Sequence, residues 1–128
     1  TYREELIMKT RLPVVVIVDD DSRLLESLGD LLESAGYRVR SFSSAHSLLA
    51  TGLVGVDLLI TDIGMPDIDG FELRDLVKKQ KPQLPVFLIT GRHEIADQDR
   101  AKSIGGIFRK PFDGKALLSA VDEAIGNR

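Results

Sequence analysis

The chain has 128 residues, a length that suits one domain around one core. Its 43% apolar and 29% charged composition is that of an ordinary soluble globular protein, and a net charge of −3 gives no global pull toward nucleic acid or an anionic membrane. The lack of cysteine excludes disulfides, thiolate nucleophiles and cysteine metal sites, and no apolar run approaches membrane-spanning length.

Residues 1–11 read as an N-terminal extension or linker. Either Met8 is the natural start, or the segment closes a helix or linker from a preceding domain; both readings stay open. From residue 12 to 128 the pattern is that of one domain. "VVVIV" (Val14–Val18) is the first expected strand, followed by the amphipathic helix "SRLLESLGDLLESAG". That helix places Leu24, Leu25, Leu28, Leu31, Leu32 and Ala35 on one face and stops at Gly36. "YRVRSF" (Tyr37–Phe42) is the second strand, and "SSAHSLLATG" a short serine-capped helix. "DLLIT" (Asp57–Thr61) is the third strand; "GFELRDLVKKQKP" then gives a helix burying Phe71, Leu73, Leu76 and Val77 and ended by Pro82. "VFLIT" (Val86–Thr90) and "IFR" (Ile107–Arg109) complete the strands, with "HEIADQDRAKSIGG" as a weakly amphipathic helix between them. The last helix, "DGKALLSAVDEAIGN", takes Asp113 as N-cap and Leu117, Leu118, Val121 and Ile125 as its buried stripe.

Five strand-then-helix units, three of them with continuously apolar strands, predict an α/β fold: a parallel sheet with right-handed crossovers and helices on both faces. In such a sheet ligands collect beyond the carboxyl ends of the strands, near the point where strand order reverses. The unusual polar residues all fall at such ends: Asp19-Asp20-Asp21 after the first strand, Thr61-Asp62 at the third, Thr90-Gly91 at the fourth and Lys110-Pro111 at the fifth. Singly, each has an ordinary explanation. Asp21 or Ser22 suits an N-cap, Asp67 and Asp69 suit turns, a lysine before proline suits solvent, and a threonine simply suits a strand. Together at four strand ends, chance explains them less well.

Two carboxylates about 4 Å apart repel by roughly 4 kcal/mol at an effective dielectric near 20. Protonation or a cation must relieve that repulsion, and clustered carboxylate oxygens with room for water suit a hard ion such as Mg²⁺. An aspartate held between a divalent ion, the Lys110 ammonium and a hydroxyl donor has what attack on phosphorus needs.

The segments "VDDD", "TDIGMPDIDG", "LITG" and "RKPF", spread from Leu12 to Gly126, resemble the receiver domain of two-component response regulators, the CheY-like family. The resemblance implies a (βα)5 doubly wound five-stranded parallel sheet of order 2-1-3-4-5, of flavodoxin-like architecture. It also implies that Asp62 is the phosphoacceptor, that Asp19, Asp20, Asp62 and the backbone carbonyl of Gly64 hold Mg²⁺, and that Thr90 and Lys110 meet the phosphoryl oxygens. A cis Lys110–Pro111 bond is a further implication. The phosphodonor would be a sensor histidine kinase or a histidine phosphotransferase, and the receiver of the signal an output domain or downstream effector. The domain would be a phosphoacceptor in signal transduction rather than an enzyme with turnover, catalysing only its own phosphorylation and dephosphorylation. It would be cytoplasmic, with no direct nucleic-acid or membrane binding; homodimerisation stays open.

The chain departs from the family between Thr90 and Lys110, where it is slightly shorter than usual. Ile107 stands where the family carries Phe or Tyr, with Phe108 beside it. A trimmed loop with Phe108 facing the core and an altered output face are both open readings. His46 and His93 are expected at the surface, without a second ligand at metal spacing. Among rivals, a haloacid-dehalogenase-type phosphatase needs D-x-D-x-T/V on the first strand, which Arg23 breaks. A flavodoxin-type module would set three aspartates against its phosphate. A receiver-like interaction domain not controlled by phosphorylation is the third alternative.

Overall fold

The computed structural model describes residues 12–91 and 106–126. Strands β1 (Val14–Val18), β2 (Arg38–Phe42), β3 (Leu58–Asp62), β4 (Val86–Thr90) and β5 (Ile107–Arg109) pair in parallel as one sheet, in the order β2-β1-β3-β4-β5. Four helices follow in chain order among the described residues: α1 (Ser22–Ser34), α2 (Ala45–Thr51), α3 (Gly70–Gln80) and α4 (Gly114–Gly126). The doubly wound order that the resemblance implies is the one observed.

The uninterrupted apolar strands make sense because the sheet is covered on both faces. Alternate residues of β1 divide between two cores: Val16 and Val18 pack with α2 and α3 through Leu48, Phe71, Leu73 and Val77. Val15 and Ile17 pack with α1 and α4 through Leu28, Leu32, Leu117 and Val121. Burial of each such side chain contributes about 1.5–3 kcal/mol, so neither layer is dispensable.

The helix ends are chemically defined. Asp21 caps α1 by accepting from the Arg23 amide at 3.0 Å. At its other end Gly36 adopts φ +94°, while the Gly36 and Tyr37 amides donate to Glu33 and Leu32 carbonyls. That pairing is a Schellman stop, and the left-handed backbone is why glycine stands there. Ser44 caps α2 through the Ser47 amide. Asp69 and Glu72 form a reciprocal capping box on α3, a stronger role than the turn residue expected of Asp69. Asp113 accepts from the Lys115 amide at the start of α4, as its expected N-cap role requires.

Some local expectations need correction. Ala35 is exposed because it lies past the helical stretch as the C-cap of α1. Leu76 is exposed because the buried stripe of α3 runs through Gly70, Leu73 and Val77 and leaves it on the rim. Asp57 precedes β3 instead of opening it, accepting from the Val14 amide at 2.8 Å. Tyr37 lies just before β2 and bonds through its hydroxyl to Asp122 of α4. Residues 1–11 and the helix expected in 93–106, apart from Gly106, lie outside the described residues. So do His93 and the shortened segment after Gly91, whereas His46 is exposed as expected. Among the described residues no helix is long and apolar enough to cross a membrane.

Candidate acidic site at the strand-order reversal

The direction of winding reverses between β1 and β3, and the register there explains the site. Val18 pairs with Thr61, so the next residue of each strand, Asp19 and Asp62, emerges at the same level. On the far side of β3, Asp62 pairs with Ile89, which brings Thr90 to the same rim. Thr90 in turn pairs with Arg109, and its carbonyl accepts from the Lys110 amide at 2.8 Å. Strand ends β1, β3, β4 and β5 therefore bring Asp19, Asp62, Thr90 and Lys110 to one rim.

Lys110 is the centre of the charge arrangement. Its Nζ lies 3.1 Å from Asp19 Oδ2 and 3.4 Å from Asp62 Oδ1. Asp19 and Asp62 are almost fully buried, at 2% and 6% exposure, while the Lys110 side chain keeps 30%. The other oxygen of Asp19 accepts from the Asp21 amide at 2.8 Å, which orients its carboxylate. Asp20 is exposed, yet Asp19, Asp20 and Asp62 each offer a carboxylate oxygen within 4.8 Å of the others.

Among the described residues, one ammonium faces three acids. Burial first, then the neighbouring Asp19 charge, push Asp62 up to about 6; Lys110 opposes them. Burial likewise raises Asp19, against the Asp21 amide and Lys110, which both favour its charged form. Burial works against the Lys110 charge, but its bond to Asp19 and the charge of Asp62 win, and its pKa is raised. The set of donors is all oxygen, crowded and open to water on the Asp20 side. It fits a hard divalent cation better than a transition metal.

The other expected residues lie at or just beyond strand ends. Thr90 is buried at the end of β4, its hydroxyl donating to the Gly91 carbonyl at 3.1 Å. Gly64 lies in the exposed turn after β3, two residues beyond Asp62. The Lys110–Pro111 peptide is cis, as expected. Ile107 packs against the α2–α3 core and Phe108 against the α1–α4 core, its ring centroid 5.5 Å from that of Phe87. Phe108 facing the core is thus the observed arrangement. An open groove of about 550 Å³, lined by Leu12, Val14, Tyr37 and Arg38 among others, lies at the amino ends of β1 and β2, away from the acids.

Gly70, which closes the TDIGMPDIDG segment and stands at the first turn of α3, was given no role from the sequence. A Cβ there would lie 2.4 Å from the Asp62 carbonyl oxygen and 2.8 Å from Ile63 Cα. The signal available was Asp69-Gly70 followed by Glu72, a capping-box start directly after the proposed site loop.

The family profile described as response regulator receiver domain matches residues 15–122. The chain belongs to that family. This receiver domain is 36% identical over 115 residues to the response regulator protein TmoT of Ectopseudomonas mendocina, covering 88% of this chain and 52% of TmoT. It is 31% identical over 115 residues to the transcriptional regulatory protein FixJ of Bradyrhizobium diazoefficiens, covering 87% of this chain and 56% of FixJ. A response regulator receiver domain protein from Clostridium thermocellum superposes with a TM-score of 0.81 at 28% identity, covering 91% of this chain and 96% of that one. The chain spans about half the length of the curated relatives it matches. Family membership sets aside the phosphatase and flavodoxin rivals and makes this a signalling domain.

Proposed function

We propose that this receiver accepts a phosphoryl group on Asp62 from a phosphohistidine, with Mg²⁺ bound at Asp19, Asp20 and Asp62, and that the modified site alters partner binding. The observation that carries the reading is Lys110 Nζ held between Asp19 and Asp62 at the strand-order reversal, beside a third carboxylate, Asp20. A carboxylate oxygen of Asp62 forms the new O–P bond as the P–N bond to the donor imidazole breaks. Lys110 holds its ammonium where the phosphoryl oxygens arrive, and Thr90 supplies a hydroxyl on the same rim. Asp19 and Asp20, with the Gly64 carbonyl, would complete the protein ligands. The ion, when bound, screens the attacking carboxylate and the transferring oxygens.

The donor is a sensor histidine kinase or histidine phosphotransferase. Phosphorylation biases two pre-existing arrangements of the domain through its added charge, and hydrolysis of the acyl phosphate resets it. The match covers only 56% of the transcriptional regulatory protein FixJ, which supports an output domain or effector as the reader of that change.

Acetyl phosphate with Mg²⁺ tests the reading. It should place one phosphoryl group per chain, chelation should prevent it, Asp62→Asn should abolish it, and Asp20→Ala should weaken its dependence on Mg²⁺. Stoichiometric labelling of Asp62→Asn would overturn the assignment. No labelling of the wild type by acetyl phosphate or by any phosphorylated histidine donor would favour an interaction domain without phosphorylation control.

A further inference from the structure

The start of α3 approaches the backbone of the proposed phosphoacceptor more closely than any side chain would allow. Each close atom around a Cβ at Gly70 belongs to backbone: Asp62 O at 2.4 Å, Ile63 Cα at 2.8 Å and Asp62 C at 3.0 Å. None is the far end of a flexible side chain, so either the helix or the end of β3 would have to shift.

Hydrogen bonds close the same junction. The Gly70 amide donates to the Ile63 carbonyl at 3.0 Å, and the Met65 amide donates to that same oxygen at 3.1 Å. Ile63 is tied across the sheet by its own amide to the Ile89 carbonyl at 2.9 Å. The Asp69–Glu72 capping box fixes the first turn of α3 from outside. The turn carrying Gly64 is therefore a loop pinned at both ends, one end being the peptide that carries Asp62.

We propose that Gly70 is a positioning residue for the acidic site: its bare Cα lets α3 seat against the Asp62–Ile63 peptide and so aims the Asp62 carboxylate at Asp19 and Lys110. The inference rests on the reading of this cluster as a divalent-ion and phosphoryl site. A Cβ at position 70 would force α3 and the Asp62–Ile63 peptide apart while leaving every liganding side chain in the sequence. The other buried helical glycine in the described residues behaves differently. A Cβ on Gly29 would meet Val39 Cγ1 at 3.7 Å, an ordinary contact.

Mg²⁺ affinity measured by calorimetry, alongside thermal unfolding and metal-free amide spectra, tests this. Gly70→Ala should bind Mg²⁺ about tenfold or more weakly, as changes to groups that orient ligands do. Its metal-free spectrum should show shifted Asp62, Ile63 and Lys110 amides. Gly29→Ala should keep wild-type affinity. Leu117→Ala, which removes a buried side chain from the opposite core, should lose thermal stability yet keep the affinity, separating positioning from stability. Should Gly70→Ala fail to fold, Asp69→Ala loosens the same helix start without adding an atom and should weaken Mg²⁺ binding relative to wild type. Wild-type affinity in a folded Gly70→Ala, or in Asp69→Ala where the former does not fold, overturns the inference. If the wild type itself neither binds Mg²⁺ nor takes phosphate, the parent reading fails and this one with it. If the wild type does both and Gly70→Ala matches it, this inference alone fails.

Discussion

Without a divalent ion, the Asp62 proton leaves the folded domain only near pH 6, because burial and the Asp19 charge resist ionisation, against an ordinary value of 3.8. Between those two values the native state binds more protons than the unfolded chain, so stability falls as pH rises through that window. Above pH 6 the full penalty of about 2–3 kcal/mol applies, and below 4 it is gone. Asp62→Asn removes it. In chelator at pH 7, urea unfolding should show the variant more stable than wild type, with the difference fading toward pH 4. A variant no more stable at pH 7 would mean that the cluster carries no such strain. Mg²⁺ should stabilise the wild type at neutral pH more than the variant, since the ion relieves the same repulsion. Lys110→Ala takes away the one ammonium shared by Asp19 and Asp62 and should destabilise the chelated domain at pH 7. Mg²⁺ binding should stay largely intact in that variant, while the phosphorylation-dependent change in partner binding is impaired.

At the scale of elements, the run Asp19-Asp20-Asp21 divides between a helix and a site. Asp21 belongs to α1 as its cap, and only Asp19 and Asp20 belong to the cluster. Asp21→Ala should therefore cost about 1 kcal/mol of stability and leave Mg²⁺ affinity unchanged; a large loss of affinity would place Asp21 in the site. Gly29→Ala, in the same helix, should add up to about 1 kcal/mol, because the helix gains propensity and the new methyl has room. The sequence made the strands and the acids at their ends legible because both carry strong local signals: unbroken apolar runs, and charge at a strand terminus. It made Asp69 legible only as a turn residue, since the capping box depends on how Glu72 folds back. The Asp-Gly helix start put Gly70 in the motif without showing why glycine is needed there. Its constraint is a contact with the Asp62 backbone, and no periodicity records how closely a helix sits on a strand end. Leu76 and Ala35 show the converse limit, because an apolar residue on the rim of a stripe or past its last turn matches the pattern without being covered.

For the molecule as a whole, the sheet is the shared wall of two cores, and β1 contributes alternate residues to each. Leu48→Ala on the α2 side and Leu117→Ala on the α4 side should each cost about 2–5 kcal/mol. Both should unfold in one transition with an unchanged urea slope; two separated transitions would show that the layers fold independently. The acidic site is built on that wall, at the one reversal in strand order, which is why residues far apart in the chain can meet there without a long loop. Whether that rim takes up phosphorus at Asp62 is decided by locating the phosphate after reaction with acetyl phosphate and Mg²⁺. Borohydride reduction of the acyl phosphate followed by peptide mass spectrometry should find the modification at Asp62 alone. Modification at Asp19, Asp20 or another acid, with Asp62 untouched, would refute the assignment.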